Sequence, residues 1–111
     1  MKKMTKTLVL ALSAFLAVSA GFAYGTEKAK ESKGEKLFKE NCSPCHPDGG
    51  NIINPKYTLQ KKHREAHGVK TAKDIIGKMR NPGPGMTKFD EKTIPEKDAM
   101  QIAEYIQKAF K

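Results

Sequence analysis

Two cysteines and a histidine stand close together in the segment C-S-P-C-H at residues 42–46. Two thiols at this spacing can add across the two vinyl groups of one haem, and a histidine directly after the second thiol can supply an axial imidazole to the iron. The motif therefore predicts one covalently attached haem c, with Cys42 and Cys45 as the thioether links and His46 as an iron ligand.

Two other chemistries use the same types of side chain. A zinc site needs a fourth ligand, which His63 or His67 could supply. A thioredoxin-type dithiol requires a βαβ context, and the sequence contains no alternating apolar run of strand length. Haem attachment requires an exported chain and suits a small helical host with little core of its own. The rest of the sequence favours both conditions.

A methionine is the expected second iron ligand. Met86 follows the tripeptide Gly-Pro-Gly at residues 83–85, where glycine lets the backbone pass close to a flat macrocycle and proline stiffens the approach. Met79 lies on the apolar side of a predicted helix and suits a core position, and Met100 is expected near the surface. A protonated lysine has no lone pair for iron. Met86 is therefore the predicted ligand opposite His46.

His63 and His67 are the remaining candidates for the iron. Their spacing of four residues could hold a metal across one helical turn. The other four side chains at residues 61–65 are charged, however, and Arg64 is one of them. We therefore expect a solvated polar face here, with the two histidines as alternative ligands only if Met86 does not bind.

The first 23 residues have the pattern of a secretory signal peptide. Three lysines precede an uncharged run at residues 8–18, which is shorter than the roughly 20 residues that a membrane-spanning helix needs. Cleavage is expected after Ala20 or Ala23. No cysteine follows the apolar run that could carry a lipid. The sequence therefore predicts export to the periplasm with no stable membrane insertion after cleavage.

Residues 24–111 form the expected mature chain, a single small domain. Loss of residues 1–23 removes three lysines and no acid, which lowers the formal charge from +9 to +6. A chain this short buries little surface, so the haem is expected to supply much of the core and the haem-free chain to be largely unfolded. Nucleic acid is not an expected partner, because the chain is exported and lacks a basic-aromatic pattern.

Helical periodicity and helix end signals predict an all-α fold of about four helices around one haem. The first helix begins near Ser32. The second runs from Thr58 to about His67 and is ended by Gly68. The third is capped by Thr71 and stopped by the Asn-Pro pair at residues 81–82. The last begins at Pro95, and its apolar stripe contains Ala99, Ile102, Ala103, Ile106, Ala109 and Phe110.

With these features placed, the mature chain resembles the class I monohaem cytochromes c, and most of all the cytochrome c6 and c553-like group. Beside the C-S-P-C-H motif, the resemblance rests on residues 34–38, 50–53, 58–59, 81–89 and 102–106. It implies that the N- and C-terminal helices cross, with Gly34 and Phe38 against Tyr105. Thr87 differs from the proline that usually follows the family's methionine. The basic charge differs from that of many acidic cytochrome c6 proteins.

The resemblance implies a one-electron carrier rather than an enzyme, which shuttles electrons between larger extracytoplasmic redox proteins. With His46 and Met86 both bound, the iron has no free position for a substrate. Thioether ligation tends to raise the reduction potential relative to two imidazoles. The alternative is a haem-based ligand-binding or sensor cytochrome in which Met86 is displaced. A monomer is expected, and the lysine surplus predicts a cationic rim that steers a redox partner with an acidic docking surface.

Overall fold

The computed structural model describes residues 30–111, and the predicted signal peptide at residues 1–23 lies outside the described residues. The described part contains no β-strand. It has one short 3-10 helix at Pro47–Gly49 and four α-helices, which are α1 (Lys33–Asn41), α2 (Lys61–Ala66), α3 (Ala72–Arg80) and α4 (Glu96–Ala109). None of the helices within residues 30–111 has the length and apolar character needed to cross a bilayer. The all-α prediction is confirmed.

Helices α1 and α3 begin at hydroxyl caps. The Ser32 hydroxyl accepts a hydrogen bond from the backbone N–H of Glu35 at 3.1 Å. At α3, the Thr71 hydroxyl accepts from the backbone N–H of Asp74 at 3.2 Å, and the Asp74 carboxylate accepts from the Thr71 N–H at 2.9 Å. These bonds satisfy backbone donors that an unprotected helix start would leave free. Both helices therefore begin where the sequence predicts.

Helices α1 and α4 pack against each other at a glycine. A Cβ atom at Gly34 would meet the backbone carbonyl oxygen of Gln101, so a larger residue at this position would force the two helices apart. One turn later, the ring of Phe38 lies 5.3 Å from that of Tyr105 and 5.4 Å from that of Phe110, measured between centroids. The helix crossing implied by the resemblance is present in the structure.

The core lies between α1, α3 and α4. Its buried apolar side chains are Phe38, Ile75, Ile76, Met79, Ile94, Ala99, Ile102, Ala103 and Ile106. Two expectations for α4 were wrong. Met100 is half-buried and packs against the core rather than lying at the surface. Ala109, the last residue of α4, is exposed, and the next residue, Phe110, leaves the helical conformation with its ring packed on Phe38.

Helix α2 is shorter than predicted. Residues 58–60 do not join it, because the Leu59 N–H donates to the Gly49 carbonyl oxygen at 2.7 Å and Gln60 has extended backbone angles. The helix ends as predicted at Gly68, which has a φ of 76°. The Gly68 N–H donates to the Glu65 carbonyl oxygen, and the Val69 N–H donates to that of Arg64. This pair of bonds is a Schellman ending.

Candidate cofactor site

A cavity of about 560 Å³ brings the predicted site residues together. Its lining includes Cys42, Cys45, His46 and Met86, which belong to two segments some forty residues apart in the chain. Cofactor pockets in proteins commonly measure about 300–1,000 Å³ and are mainly apolar. Aliphatic side chains of the helical core, including Ile75 and Ile106, form part of the wall. The cavity therefore offers two thiols, an imidazole and a thioether in an apolar setting.

The ring of His46 is held in one tautomer. Its Nδ1 lies 2.7 Å from the carbonyl oxygen of Gly50, and since a carbonyl oxygen can only accept, Nδ1 carries the proton. In the neutral ring, the other nitrogen, Nε2, then keeps its lone pair for a metal. The turn between His46 and Gly50 allows this bond, and two of its residues, Asp48 (φ 52°) and Gly49 (φ 77°), have left-handed backbone conformations. Helix α1 and this turn thus prepare His46 to coordinate a metal.

The two cysteines are free thiols that follow directly on α1. Cys42 is the helix's C-terminal cap residue, and its carbonyl oxygen accepts hydrogen bonds from the N–H groups of Cys45 and His46 at 3.1 and 2.8 Å. Burial, assisted by the neighbouring Cys45, raises the pKa of the Cys42 thiol to about 11. Burial of Cys42 therefore favours the neutral thiol over the thiolate that a zinc site uses.

Met86 is placed by a loop without regular structure at residues 81–94. Gly85 has a φ of 85°, and a Cβ atom there would lie 3.3 Å from Cγ2 of Ile53. The positive φ therefore favours glycine at the residue before Met86, and a Cβ atom there would also press on the Ile53 side chain. The Met86 side chain is half-buried at the cavity.

Arg80 ties this loop to α3. Its Nη1 group donates to the carbonyl oxygens of Phe89 and Ile94 at 3.1 and 2.8 Å. The Phe89 N–H also donates to the carbonyl oxygen of Met79 at 2.9 Å. Sequence analysis did not identify this role of Arg80. The signal was an arginine in the last turn of a helix, directly before a segment rich in proline and glycine.

The other candidate ligands have distinct positions. Met79 is buried in the core, as predicted, and also lines the cavity. His63 lies outside the cavity lining and is hydrogen-bonded through Nδ1 to the Thr58 hydroxyl at 2.6 Å. His67 does line the cavity, and its ring stacks on Tyr57 with a centroid distance of 4.0 Å. Within residues 30–111, no group of three or more His, Cys, Asp or Glu side chains is placed to hold a metal ion.

Arg64 contradicts the expectation of a solvated face. Only 6% of this residue is exposed, and it lines the cavity. Its Nε donates to the carbonyl oxygen of Leu59 at 2.7 Å, and its Nη2 donates to that of Phe110 at 3.2 Å. Burial lowers the pKa of the guanidinium from its ordinary value, although the adjacent Glu65 opposes this. The partner Phe110 is 46 residues away in sequence, so local patterning gave no sign of the burial.

Comparisons with known proteins agree with this site. The family model described as cytochrome C oxidase, cbb3-type, subunit III matches residues 29–106. Cytochrome c6 of Pyropia yezoensis is 34% identical over 106 residues, which cover 96% of this chain and 93% of that protein. Cytochrome c6 of a Nostoc species is 29% identical over 106 residues, which cover 96% and 92%.

Two solved structures show the same fold. Outer membrane cytochrome F (OmcF) from Geobacter sulfurreducens is 46% identical, with a TM-score of 0.69, and the match covers 70% of this chain and 99% of that chain. Oxidised cytochrome c6A from Arabidopsis thaliana is 31% identical with a TM-score of 0.60, covering 68% and 84%.

An all-α domain with a C-x-x-C-H motif beside an apolar cavity defines a monohaem cytochrome c. This chain belongs to the class I cytochromes c, in the cytochrome c6-like group. Membership establishes one covalently attached haem c as the cofactor and electron transfer, rather than enzymatic catalysis, as the function. The free thiols, the fixed His46 tautomer and the size of the cavity fit this cofactor.

Proposed function

We propose that this chain carries single electrons between redox proteins outside the cytoplasm, with its haem held by Cys42 and Cys45 and ligated by His46 and Met86. The observation that supports this proposal most is that all four side chains line one cavity while the His46 ring is anchored through Nδ1 to the Gly50 carbonyl oxygen. When bound, the haem iron supplies a centre that alternates between the ferrous and ferric states. The protein holds the same two ligands in both states.

The role of the surrounding chain is to keep the ligands in place. Gly50 fixes the His46 ring through the bond to Nδ1, and Arg80 fixes the part of the 81–94 loop that follows Met86, at Phe89 and Ile94. A ligand set that does not rearrange keeps the energy of reorganisation small. With both ligands held, no position on the metal is open to an exogenous ligand, which supports electron transfer over ligand sensing.

Optical spectra of the parent and of Met86→Ala, in both redox states, test the ligand assignment. We expect low-spin haem c in the parent and loss of the long-wavelength thioether–ferric band in Met86→Ala. Met79→Leu tests the other methionine at the cavity, and Met100→Leu is the matched control away from the cavity. Both should keep the band. A band that survives in Met86→Ala and disappears in Met79→Leu contradicts the assignment.

We further propose export with cleavage of residues 1–23 and a monomeric mature protein. The match to outer membrane cytochrome F supports a location outside the cytoplasm. N-terminal sequencing of protein from the periplasmic fraction should begin at Gly21 or Tyr24. Light scattering should give the mass of one mature chain with one haem. Retention of Met1 in purified protein, or recovery in the cytoplasmic fraction only, contradicts the proposal.

The partner is proposed to present an acidic docking surface. The exposed lysines on the elements around the cavity are Lys56, Lys61, Lys62, Lys70, Lys73, Lys78 and Lys88. Of these, Lys78 lines the cavity itself. Charges of one sign around a cleft attract reactants of the opposite sign, and salt weakens the attraction.

Stopped-flow oxidation of the reduced protein by two inorganic oxidants tests the sign of the charge on this surface. We expect the rate with anionic ferricyanide to fall as salt rises, and the rate with cationic tris(phenanthroline)cobalt(III) to rise. Lys78→Gln should weaken the salt dependence with ferricyanide. Lys36→Gln, on α1 and outside the cavity lining, is the control. Rates with both oxidants that do not respond to salt contradict the docking proposal.

A further inference from the structure

Phe110, which directly follows α4, connects parts of the fold that lie far apart in sequence. Its ring packs on that of Phe38 in α1, with 5.4 Å between the centroids. Its carbonyl oxygen accepts hydrogen bonds from two residues of α2, the Lys61 N–H at 3.1 Å and Nη2 of Arg64 at 3.2 Å. Phe110 therefore ties α2 to the ends of α1 and α4.

The same ring also lies on the turn that holds His46. Gly49 is buried in this turn, and a Cβ atom there would overlap three carbons of the Phe110 ring, which are Cγ, Cδ1 and Cε1. The ring therefore packs directly on the backbone of Gly49. The next residue, Gly50, supplies the carbonyl oxygen that lies 2.7 Å from Nδ1 of His46. One peptide unit thus separates the contact with Phe110 from the bond that orients the imidazole.

A series of hydrogen bonds holds this turn a second time and leads back to Phe110. The Leu59 N–H donates to the Gly49 carbonyl oxygen at 2.7 Å, and the Leu59 carbonyl oxygen accepts from Nε of Arg64 at 2.7 Å. The guanidinium of Arg64 then donates to Phe110 through Nη2. Segments with few buried contacts open most easily, so these contacts should restrict opening of the turn.

We propose that Phe110 is a positioning residue for the axial histidine, because its ring holds Gly49 and thereby keeps the Gly50 carbonyl oxygen on Nδ1 of His46. The inference rests on the ligation of the iron by His46 in the proposed function. It assigns a role at the iron to a residue that does not line the cavity. A carbonyl that accepts from the far nitrogen of a metal-bound imidazole raises the basicity of that ligand. A more basic imidazole favours ferric iron, so the bond lowers the reduction potential.

Hydrogen–deuterium exchange of the His46 Nδ1–H tests this role in the haem-containing protein, by NMR after nitrogen-15 labelling of histidine. In Phe110→Leu we expect this proton to exchange about two- to tenfold faster, which is the range that loss of an aromatic contact can produce. The reduction potential should become more positive, because His46 becomes a weaker donor to ferric iron. Phe110→Tyr keeps Cγ, Cδ1 and Cε1 of the ring and should behave like the parent.

Tyr105→Leu separates this role from a general loss of aromatic packing. Tyr105 packs on the same Phe38 ring, with 5.3 Å between the centroids, and its Cβ lies beside Gly34. We expect Tyr105→Leu to lower the free energy of unfolding in urea, as Phe110→Leu does. Its Nδ1–H exchange and its reduction potential should stay at the parent's values. If Phe110→Leu does not fold, Phe110→Met gives the same test, since an unbranched side chain adapts to irregular space.

Two outcomes overturn the proposal. Phe110→Leu may lose stability while the Nδ1–H exchange and the reduction potential stay at the parent's values, which leaves Phe110 as a packing residue only. Equal changes in Tyr105→Leu and Phe110→Leu would show that both readouts follow stability alone. Failure of the proposed function looks different. Absence of the thioether–ferric band in the parent overturns Met86 as a ligand, while the exchange at His46 still tests Phe110.

Discussion

At the scale of single residues, the Asp74 carboxylate shows how one side chain fixes the start of a helix. It accepts hydrogen bonds from the backbone N–H groups of Thr71 and Lys70 at 2.9 and 3.0 Å. These bonds hold the pKa of Asp74 below its ordinary value, and the bond from Thr71 has the larger effect of the two. A carboxylate with a lowered pKa in the folded state stabilises the fold above its unfolded pKa.

Asp74→Asn should therefore be less stable than the parent at neutral pH, and the difference should shrink as acid protonates Asp74 in the folded parent. Urea unfolding of the haem-containing protein, repeated from neutral pH down to about pH 3, measures this. Glu104→Gln, at an exposed position of α4, is the control. A constant difference between Asp74→Asn and the parent at every pH contradicts the role of the charge.

At the scale of helices, two glycines allow a matched comparison. Gly34 of α1 lies against α4, and a Cβ atom there would meet the Gln101 carbonyl oxygen. Gly77 of α3 has no neighbouring atom in the way of a Cβ. We expect Gly34→Ala to destabilise the protein by about 1–3 kcal/mol through overpacking. Gly77→Ala should stabilise it by about 0.5–1 kcal/mol, because alanine favours a helix.

Guanidinium unfolding of both alanine variants, followed by far-UV circular dichroism, measures these two effects in the same protein. We expect the free energy of unfolding to fall in Gly34→Ala and to rise in Gly77→Ala. A Gly34→Ala variant as stable as the parent would show that the α1–α4 contact adapts at little cost, and would contradict the packing argument.

The loop that carries Met86 depends on α3 through Arg80. Arg80→Met leaves the carbonyl oxygens of Phe89 and Ile94 without their donor, at a cost of about 1–3 kcal/mol for a buried group. We expect Met86 to dissociate more often in this variant. Carbon monoxide should then bind the reduced protein faster and more completely. Lys92→Met, at an exposed position of the same loop, is the control and should behave like the parent.

A parent protein that binds carbon monoxide as readily as Arg80→Met would favour the ligand-binding cytochrome. In that case Thr87, where the family usually has proline, is the first residue to replace.

Helix ends that are marked by local capping residues could be predicted from the sequence, whereas contacts between distant residues could not. Ser32, Thr71 and Gly68 mark helix ends through local bonds, so these ends were predicted correctly. The predicted start of α2 was wrong because the Leu59 N–H donates to the carbonyl oxygen of Gly49, ten residues earlier. The burial of Arg64 was missed because it depends on the cavity and on the distant Phe110.

At the scale of the whole molecule, the cavity lies within the only substantial core of the described chain. Core residues such as Ile75, Met79 and Ile106 form part of its wall. Without the haem, these apolar side chains face water instead of an apolar occupant, which removes part of the hydrophobic stabilisation of the fold. The fold without its haem should therefore be barely stable or unstable.

Cys42→Ala combined with Cys45→Ala removes both attachment points and tests this directly. We expect low helicity and no cooperative thermal transition by far-UV circular dichroism, because the aliphatic wall has no occupant to pack against. A matched control is Ser43→Ala combined with Pro44→Ala, which changes the same turn and keeps both thiols. The control should bind haem, fold and melt cooperatively. Native-like helicity with a cooperative melt in the cysteine variant would show that the helices α1, α3 and α4 hold together without haem.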